Sequence, residues 1–200
     1  YTEDDLKYYQ ELQHYGLSID NTGQNGSFRF IHLFGSHPPY TLDRNVERTE
    51  DPSKQNVDEQ TIAAYRIVEA YIAELKRLGV YENTSFIITA DHGDWYLTGG
   101  DIQTPSAPVI MYKPAGQTAQ PMQISDAPVW HYDILAQTLK DMGVDQQTLS
   151  NYTTPLDEVH EGDVRPRYYI ETISNGKRDI FVREFVINGN ANDMKDWSLT

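Results

Sequence analysis

Apolar positions recur along this chain at helical and at strand spacing, in alternating blocks. After the polar start Thr2-Glu3-Asp4-Asp5, Leu6, Tyr9 and Leu12 follow at helical spacing, which predicts a first helix ending at Gly16. Asn56 and Glu59 repeat the start signal. Ile62, Tyr65, Val68, Ile72, Leu75 and Leu78 then form one apolar stripe, with Gly79 as the stop. On either side of this second helix lie β-rich runs, residues 28–34 and 85–90, the latter apolar and β-branched enough for a buried strand. A strand–helix–strand crossover of this length predicts a parallel pair. Residues 107–112 predict a third strand, with Lys113-Pro114-Ala115-Gly116 as its exit turn. Asp133 precedes Ile134, Leu135, Thr138 and Leu139, a helix ending near Gly143. In the tail, residues 168–173 and 179–187 flank Ser174-Asn175-Gly176-Lys177, and Asn-Gly between two β-rich runs predicts an antiparallel hairpin. The fold class expected is α/β: a mainly parallel sheet flanked by helices with a C-terminal antiparallel hairpin, residues 1–150 forming the α/β domain and 151–200 an extension.

The strand ends carry the chemistry. The run over residues 85–90 ends in Asp91-His92-Gly93 rather than in bland turn residues. An Asp oxygen beside a His nitrogen suits a borderline divalent cation such as Zn²⁺ or Mn²⁺. Gly93 lets the backbone turn sharply, so side chains that alternate along a strand can converge beyond its end, where open α/β sheets bind ligands. The alternative is an Asp that caps the next helix beside a hydrogen-bonded His. The run over residues 28–34 leads into Gly35-Ser36-His37-Pro38-Pro39-Tyr40. Two prolines forbid a helix and hold a stiff segment, which either fixes the His37 imidazole over a pocket or makes a rigid surface turn. His32 reads as a packed strand residue, His131 and Asp133 as cap and packing residues, and His160, in the acidic stretch 157–163, as exposed. His131 as a further ligand is the alternative. The charged loop 43–54 and the Gly-rich, aromatic segment 94–105, with Trp95, are candidate walls of the pocket.

Charge narrows the partners. The 200 residues carry a formal net charge of −14, which argues against nucleic acid, since phosphate contacts need Lys and Arg patches. An anionic ester would then depend on a local metal and on residues such as Arg44 or Lys113. The absence of cysteine excludes disulfides, a thiol nucleophile and a Cys-based zinc site. No apolar run approaches the roughly 18 residues of a membrane span.

HLFGSHPPY, NTSFIITADHGDW, SAPVIMYKPAG and APVWHYDILAQTLKDMGV resemble, in that order, blocks of the sulfatase domain of the alkaline-phosphatase superfamily, over roughly residues 28–143. The nearest branch in flavour is the lipoteichoic-acid-synthase-like phosphoglycerol transferases. The resemblance implies an alkaline-phosphatase-like fold, incomplete in this chain. It implies that Asp91 and His92 are two ligands of a catalytic divalent metal ion (Mn, Zn, Ca or Mg). His37 would bind the phosphate or sulfate oxygens or assist the leaving group, with Arg44 and Trp95 as further substrate contacts. The family also needs a Thr or formylglycine nucleophile and acidic ligands from an earlier segment. That segment is not found here, so the chain is expected to be the C-terminal portion of a larger enzyme and inactive alone. Its partners would be a phosphate- or sulfate-ester substrate and the N-terminal part of the same domain, with possible membrane anchoring through that part. The location implied is the outer face of a bacterial cell membrane, or secretion. The competing reading is a non-catalytic metal-binding or interaction domain without a nucleophile.

Overall fold

The computed structural model describes residues 4–20, 22, 26–93, 108–174, 178–191 and 193–200. The chain divides into two compact units, Tyr1–Thr84 and Ser85–Thr200.

The first unit is a helix pair with a long loop folded on it. Helix α1 (Asp5–Tyr15) starts at Asp4, whose carboxylate accepts the Lys7 N–H at 3.1 Å, and ends at Gly16 as its spacing predicts. Helix α2 (Val57–Arg77) starts at Asn56, whose side chain accepts the Glu59 N–H at 3.0 Å. Each cap satisfies one of the orphan donors of a first helical turn. The core is Leu42, Val46, Ala63 and Ile67, against which Leu6, Tyr8, Tyr9 and Leu33 pack. The buried face of α2 is therefore Gln60, Ala63, Ile67 and Leu75, while Ile62 and Tyr65 of the expected stripe are exposed.

Gly16 is required where it stands. Its φ is +63°, and a Cβ there would lie 2.5 Å from Glu74 Oε2. That carboxylate accepts the Leu17 N–H at 2.7 Å and pairs with Arg77, whose Nη2 donates to the Leu17 carbonyl at 2.8 Å. The Arg77 hydrogen bonds first, and the Leu17 N–H second, hold the Glu74 carboxyl down from 4.5 to about 2. A depressed folded-state pKa contributes stability above the unfolded value and loses it as pH falls through the folded one. Wild-type stability should thus decline between pH 4.5 and about 2 more steeply than that of Glu74→Gln, measured by denaturant unfolding across that window.

Residues 28–34, expected as a strand, join no described ladder; Leu33 packs on the core, while Phe28, Phe30, Ile31 and Phe34 are exposed, Phe30 at 81 %. β-Branched and aromatic content favours a strand only where a neighbouring strand supplies the ladder. No parallel pair is present among the described residues; every described sheet is antiparallel.

In the second unit, β1 (Phe86–Thr89) pairs with β2 (Ile110–Lys113), Phe86 opposite Lys113 and Thr89 opposite Ile110. With two strands only, β1 is half-buried rather than buried. Helix α3 (His131–Asp141) covers a polar centre. Gln137, fully buried, donates to Tyr112 Oη at 2.8 Å and Asp141 Oδ1 at 2.9 Å, and its Oε1 accepts the Asp157 N–H at 3.0 Å. Burial first and Asp141 second push the Tyr112 hydroxyl pKa upward. The short helix α4 (Gln146–Leu149) follows. The predicted hairpin is present and longer than expected: β3 (Val164–Ser174) pairs with β4 (Arg178–Asn188), and β5 (Trp197–Leu199) adds a third strand on β4. Phe185 and Ile187 of β4 are buried, and Phe185 meets Trp197 edge-on at 5.8 Å. Pro166, which cannot donate to a ladder, sits on the edge strand β3.

Candidate functional site

In the first unit, α1 and α2 hold the Gly35-Ser36-His37 segment and the residues that follow it. Asp5, buried on the first turn of α1, accepts the Phe34 and Gly35 N–H groups at 2.9 and 3.0 Å. Gln60, buried on α2, accepts the Thr41 and Leu42 N–H groups at 3.1 and 2.9 Å. Ser36 Oγ and Thr61 Oγ1 are 2.8 Å apart. Between these anchors His37 is exposed, its ring edge-on to Phe34 at 4.9 Å, and its Nδ1–H donates to the Pro38 carbonyl. A carbonyl only accepts, so Nδ1 carries the proton and Nε2 is the nitrogen offered to a ligand. Neither Asp5 nor Gln60 stood out in the sequence: Asp5 was one of several acidic residues in a helix start. Alanine at position 5 leaves two backbone donors without an acceptor, and Asp5→Ala is expected to cost about 1–3 kcal/mol in urea unfolding.

Arg44, expected to contact substrate, is paired with Glu59 and its side chain is exposed. Its guanidinium makes a two-point pair with Glu59, and its N–H donates to Glu59 Oε2 at 3.0 Å. The Glu59 hydrogen bonds hold the Arg44 guanidinium above its usual pKa. The next residues form a tight turn on the buried Asp43 carboxylate, which accepts the Asn45 and Glu47 N–H groups at 2.8 and 3.2 Å. Val46 there has φ +62°, a costly conformation for a β-branched residue, and is buried in the core.

In the second unit, the end of β1 places Asp91 and His92 side by side. Asp91 Oδ1 accepts the His92 N–H at 3.0 Å and lies 3.8 Å from His92 Nε2. His92 Nδ1–H donates to the Gly93 carbonyl at 2.6 Å, which turns Nε2 toward the carboxylate. Asp91 is 83 % exposed and His92 34 %. A cation with bonds of about 2.1 Å in tetrahedral geometry sets its ligands roughly 3.4 Å apart, so a separation of 3.8 Å is within a few tenths of an ångström of a bridging position. A ligand His whose other nitrogen is tied to a carbonyl is the usual second-layer support of a metal site. The pair fits a divalent cation in chemistry and spacing. Among the described residues no group of three or more His, Asp or Glu converges on such a site.

His131 borders this pair. At the first position of α3, its Nε2–H donates to the Ala90 carbonyl at 2.7 Å and lies 3.5 Å from Thr89 Oγ1. Asp133 is a cap and packing residue as expected: Oδ2 accepts the Trp130 N–H at 2.9 Å. Arg165 of β3, which no sequence motif singles out, is the fully buried Asp133's partner, at 2.6 and 2.9 Å. Lys113 Nζ donates to the Pro114 carbonyl at 3.0 Å, and His160 is exposed. Trp95 and the expected pocket wall 94–105 lie outside the described residues. His37 belongs to the first unit and Asp91 and His92 to the second.

The family model for sulfatases matches residues 2–144 of the chain. The chain belongs to the sulfatase family and carries an α/β sulfatase-family enzyme domain, within the alkaline-phosphatase superfamily. Members of this family generally use a divalent metal. Neither the curated proteins nor the solved structures yield a match.

Proposed function

We propose that this chain is the C-terminal part of a metal-dependent enzyme that cleaves or transfers a phosphate or sulfate ester, of phosphoglycerol-transferase or sulfuric-ester-hydrolase type. The observation that carries the reading is the Asp91–His92 pair at the end of β1, its nitrogen and oxygen 3.8 Å apart and Nδ1 tied back to Gly93. Asp91 and His92 would hold a Mn, Zn, Ca or Mg ion. Such an ion, when bound, supplies Lewis acidity toward an ester oxygen and the attacking group. His37 has Nδ1–H committed to Pro38, so as an imidazolium it presents Nε2–H to a substrate oxygen or leaving group. Two protein ligands leave most of a coordination shell to other groups. The nucleophile, a Thr or formylglycine, and the acidic ligands are proposed to come from a preceding segment of the same protein. Parallel strands beside the exposed run 28–34 belong to the same proposal. The family match ends at residue 144, which supports reading 151–200 as an extension. A location on the outer face of a bacterial membrane or outside the cell, with anchoring through the preceding segment, completes the reading. No helix among the described residues is long and apolar enough to cross a membrane.

His37→Ala in the full-length protein should lower turnover of an aryl phosphate or sulfate by about 10²- to 10⁴-fold, the usual worth of a positioned acid or base, with bound metal unchanged. Equal loss of metal would make His37 a ligand. Turnover indifferent to both Asp91 and His37 would leave the non-catalytic interaction domain as the better account.

A further inference from the structure

The hairpin sheet lies beyond the family match, yet it is tied to the Asp91–His92 pair by a short chain of polar contacts, part-buried at Arg165 and exposed at His131. Arg165 stands on β3 opposite the buried Ile187 of β4, which in turn pairs with Trp197 of β5. Its guanidinium grips Asp133 by two parallel bonds, 2.6 and 2.9 Å, and donates to the Pro128 carbonyl at 3.2 Å. Asp133 is 0 % exposed and is the acceptor for the Trp130 N–H. Trp130 lies 6.3 Å from Tyr168 of β3, ring to ring, with the Arg167 guanidinium 5.5 Å from the indole. The first turn of α3 is therefore fixed from β3. His131, on that turn, spends its Nε2–H on the carbonyl of Ala90, the residue before Asp91.

We infer that the C-terminal sheet positions the metal pair: Arg165 locks Asp133, Asp133 locks the start of α3, and His131 on that start holds the Ala90 carbonyl and so the backbone that carries Asp91 and His92. Arg165 and His131 are positioning residues. A bidentate arginine–carboxylate pair sets direction as well as strength, which a lysine cannot reproduce. The inference rests on the reading of Asp91 and His92 as ligands.

The test pairs two readouts on the full chain. One is the long-range ¹H–¹⁵N spectrum of the His131 imidazole, which reports its tautomer without any metal. The other is Mn²⁺ affinity from water-proton relaxation. Wild type should show the Nε2–H tautomer alone. Arg165→Met should give averaged tautomers and about 10- to 100-fold weaker Mn²⁺ binding, the usual worth of an outer-shell partner, with Arg165→Lys recovering only part. An unchanged His131 spectrum in Arg165→Met overturns the inference. A changed spectrum with Mn²⁺ binding indifferent to Asp91→Ala keeps the mechanical tie and removes the metal reading instead. Should Arg165→Met not fold, His131 decides. His131→Gln, which keeps an N–H for Ala90, should bind Mn²⁺ more tightly than His131→Leu. Equal weakening of both, to the level of Asp91→Ala, would make His131 a ligand and overturn its positioning role.

Discussion

Replacing Asp91 with alanine in the full-length protein should lower metal-dependent turnover of a phosphate or sulfate ester by more than about 100-fold, beyond what loss of an outer-shell partner costs. Asp91 is largely exposed, and among the described residues its carboxylate accepts the His92 N–H and forms no ion pair with Lys or Arg. Its removal should therefore leave unfolding within about 0.5 kcal/mol of wild type, as surface substitutions away from buried features usually do. A large functional loss without a stability loss is the signature of a ligand rather than of a structural residue. Asp91→Asn keeps the oxygen for the His92 N–H and removes the charge. It should likewise match wild type in stability and recover activity hardly at all, because a hard or borderline cation favours the charged oxygen. The check is steady-state turnover at saturating metal beside a urea transition for each variant.

Asp133→Ala should be the most destabilising single change in the second unit. It removes the carboxylate partner of the Arg165 guanidinium and the acceptor for the Trp130 N–H, both in a site with no exposure at Asp133. Breaking a buried pair by deleting one partner costs about 3–5 kcal/mol, since a desolvated charge is left behind. A second cation aggravates this: Arg167 lies close enough to feel Asp133, and burial already holds its guanidinium below the usual pKa against that attraction. The double variant Asp133→Ala with Arg165→Met should recover part of the loss, because it removes the stranded charge. Denaturant unfolding of the two singles and the double, combined as a cycle, measures this. Additive losses would show that the pair is not coupled.

Local signals are legible in the sequence and long-range partnerships are not. Helix α1 with Gly16, α2 with Asn56, α3 with Asp133 and the C-terminal hairpin all follow from caps, stops and turn chemistry within a few residues. The run over residues 28–34 has the composition of a strand but finds no ladder, because pairing depends on a neighbour that composition does not specify. The face that α2 buries was misjudged for a related reason: Gln60, a polar residue, is drawn in because it caps two backbone donors of the loop after His37. The adjacency of Asp91 and His92 just beyond β1 was legible from residue type and place. Asp5, Arg165 and the bond from His131 to Ala90 were not, since each joins positions about 30 to 40 apart by a single side chain. The pairing of Arg44 with Glu59, 15 positions away, was likewise not legible from residue type.

The most direct test of the central claim is anomalous diffraction from crystals of the full-length protein grown with Mn²⁺. The account predicts an anomalous peak within about 2.0–2.3 Å of both an Asp91 carboxylate oxygen and His92 Nε2, lost in crystals of Asp91→Ala. A Mn²⁺ peak bound wholly by other residues, in an enzyme whose turnover requires the metal, would contradict it.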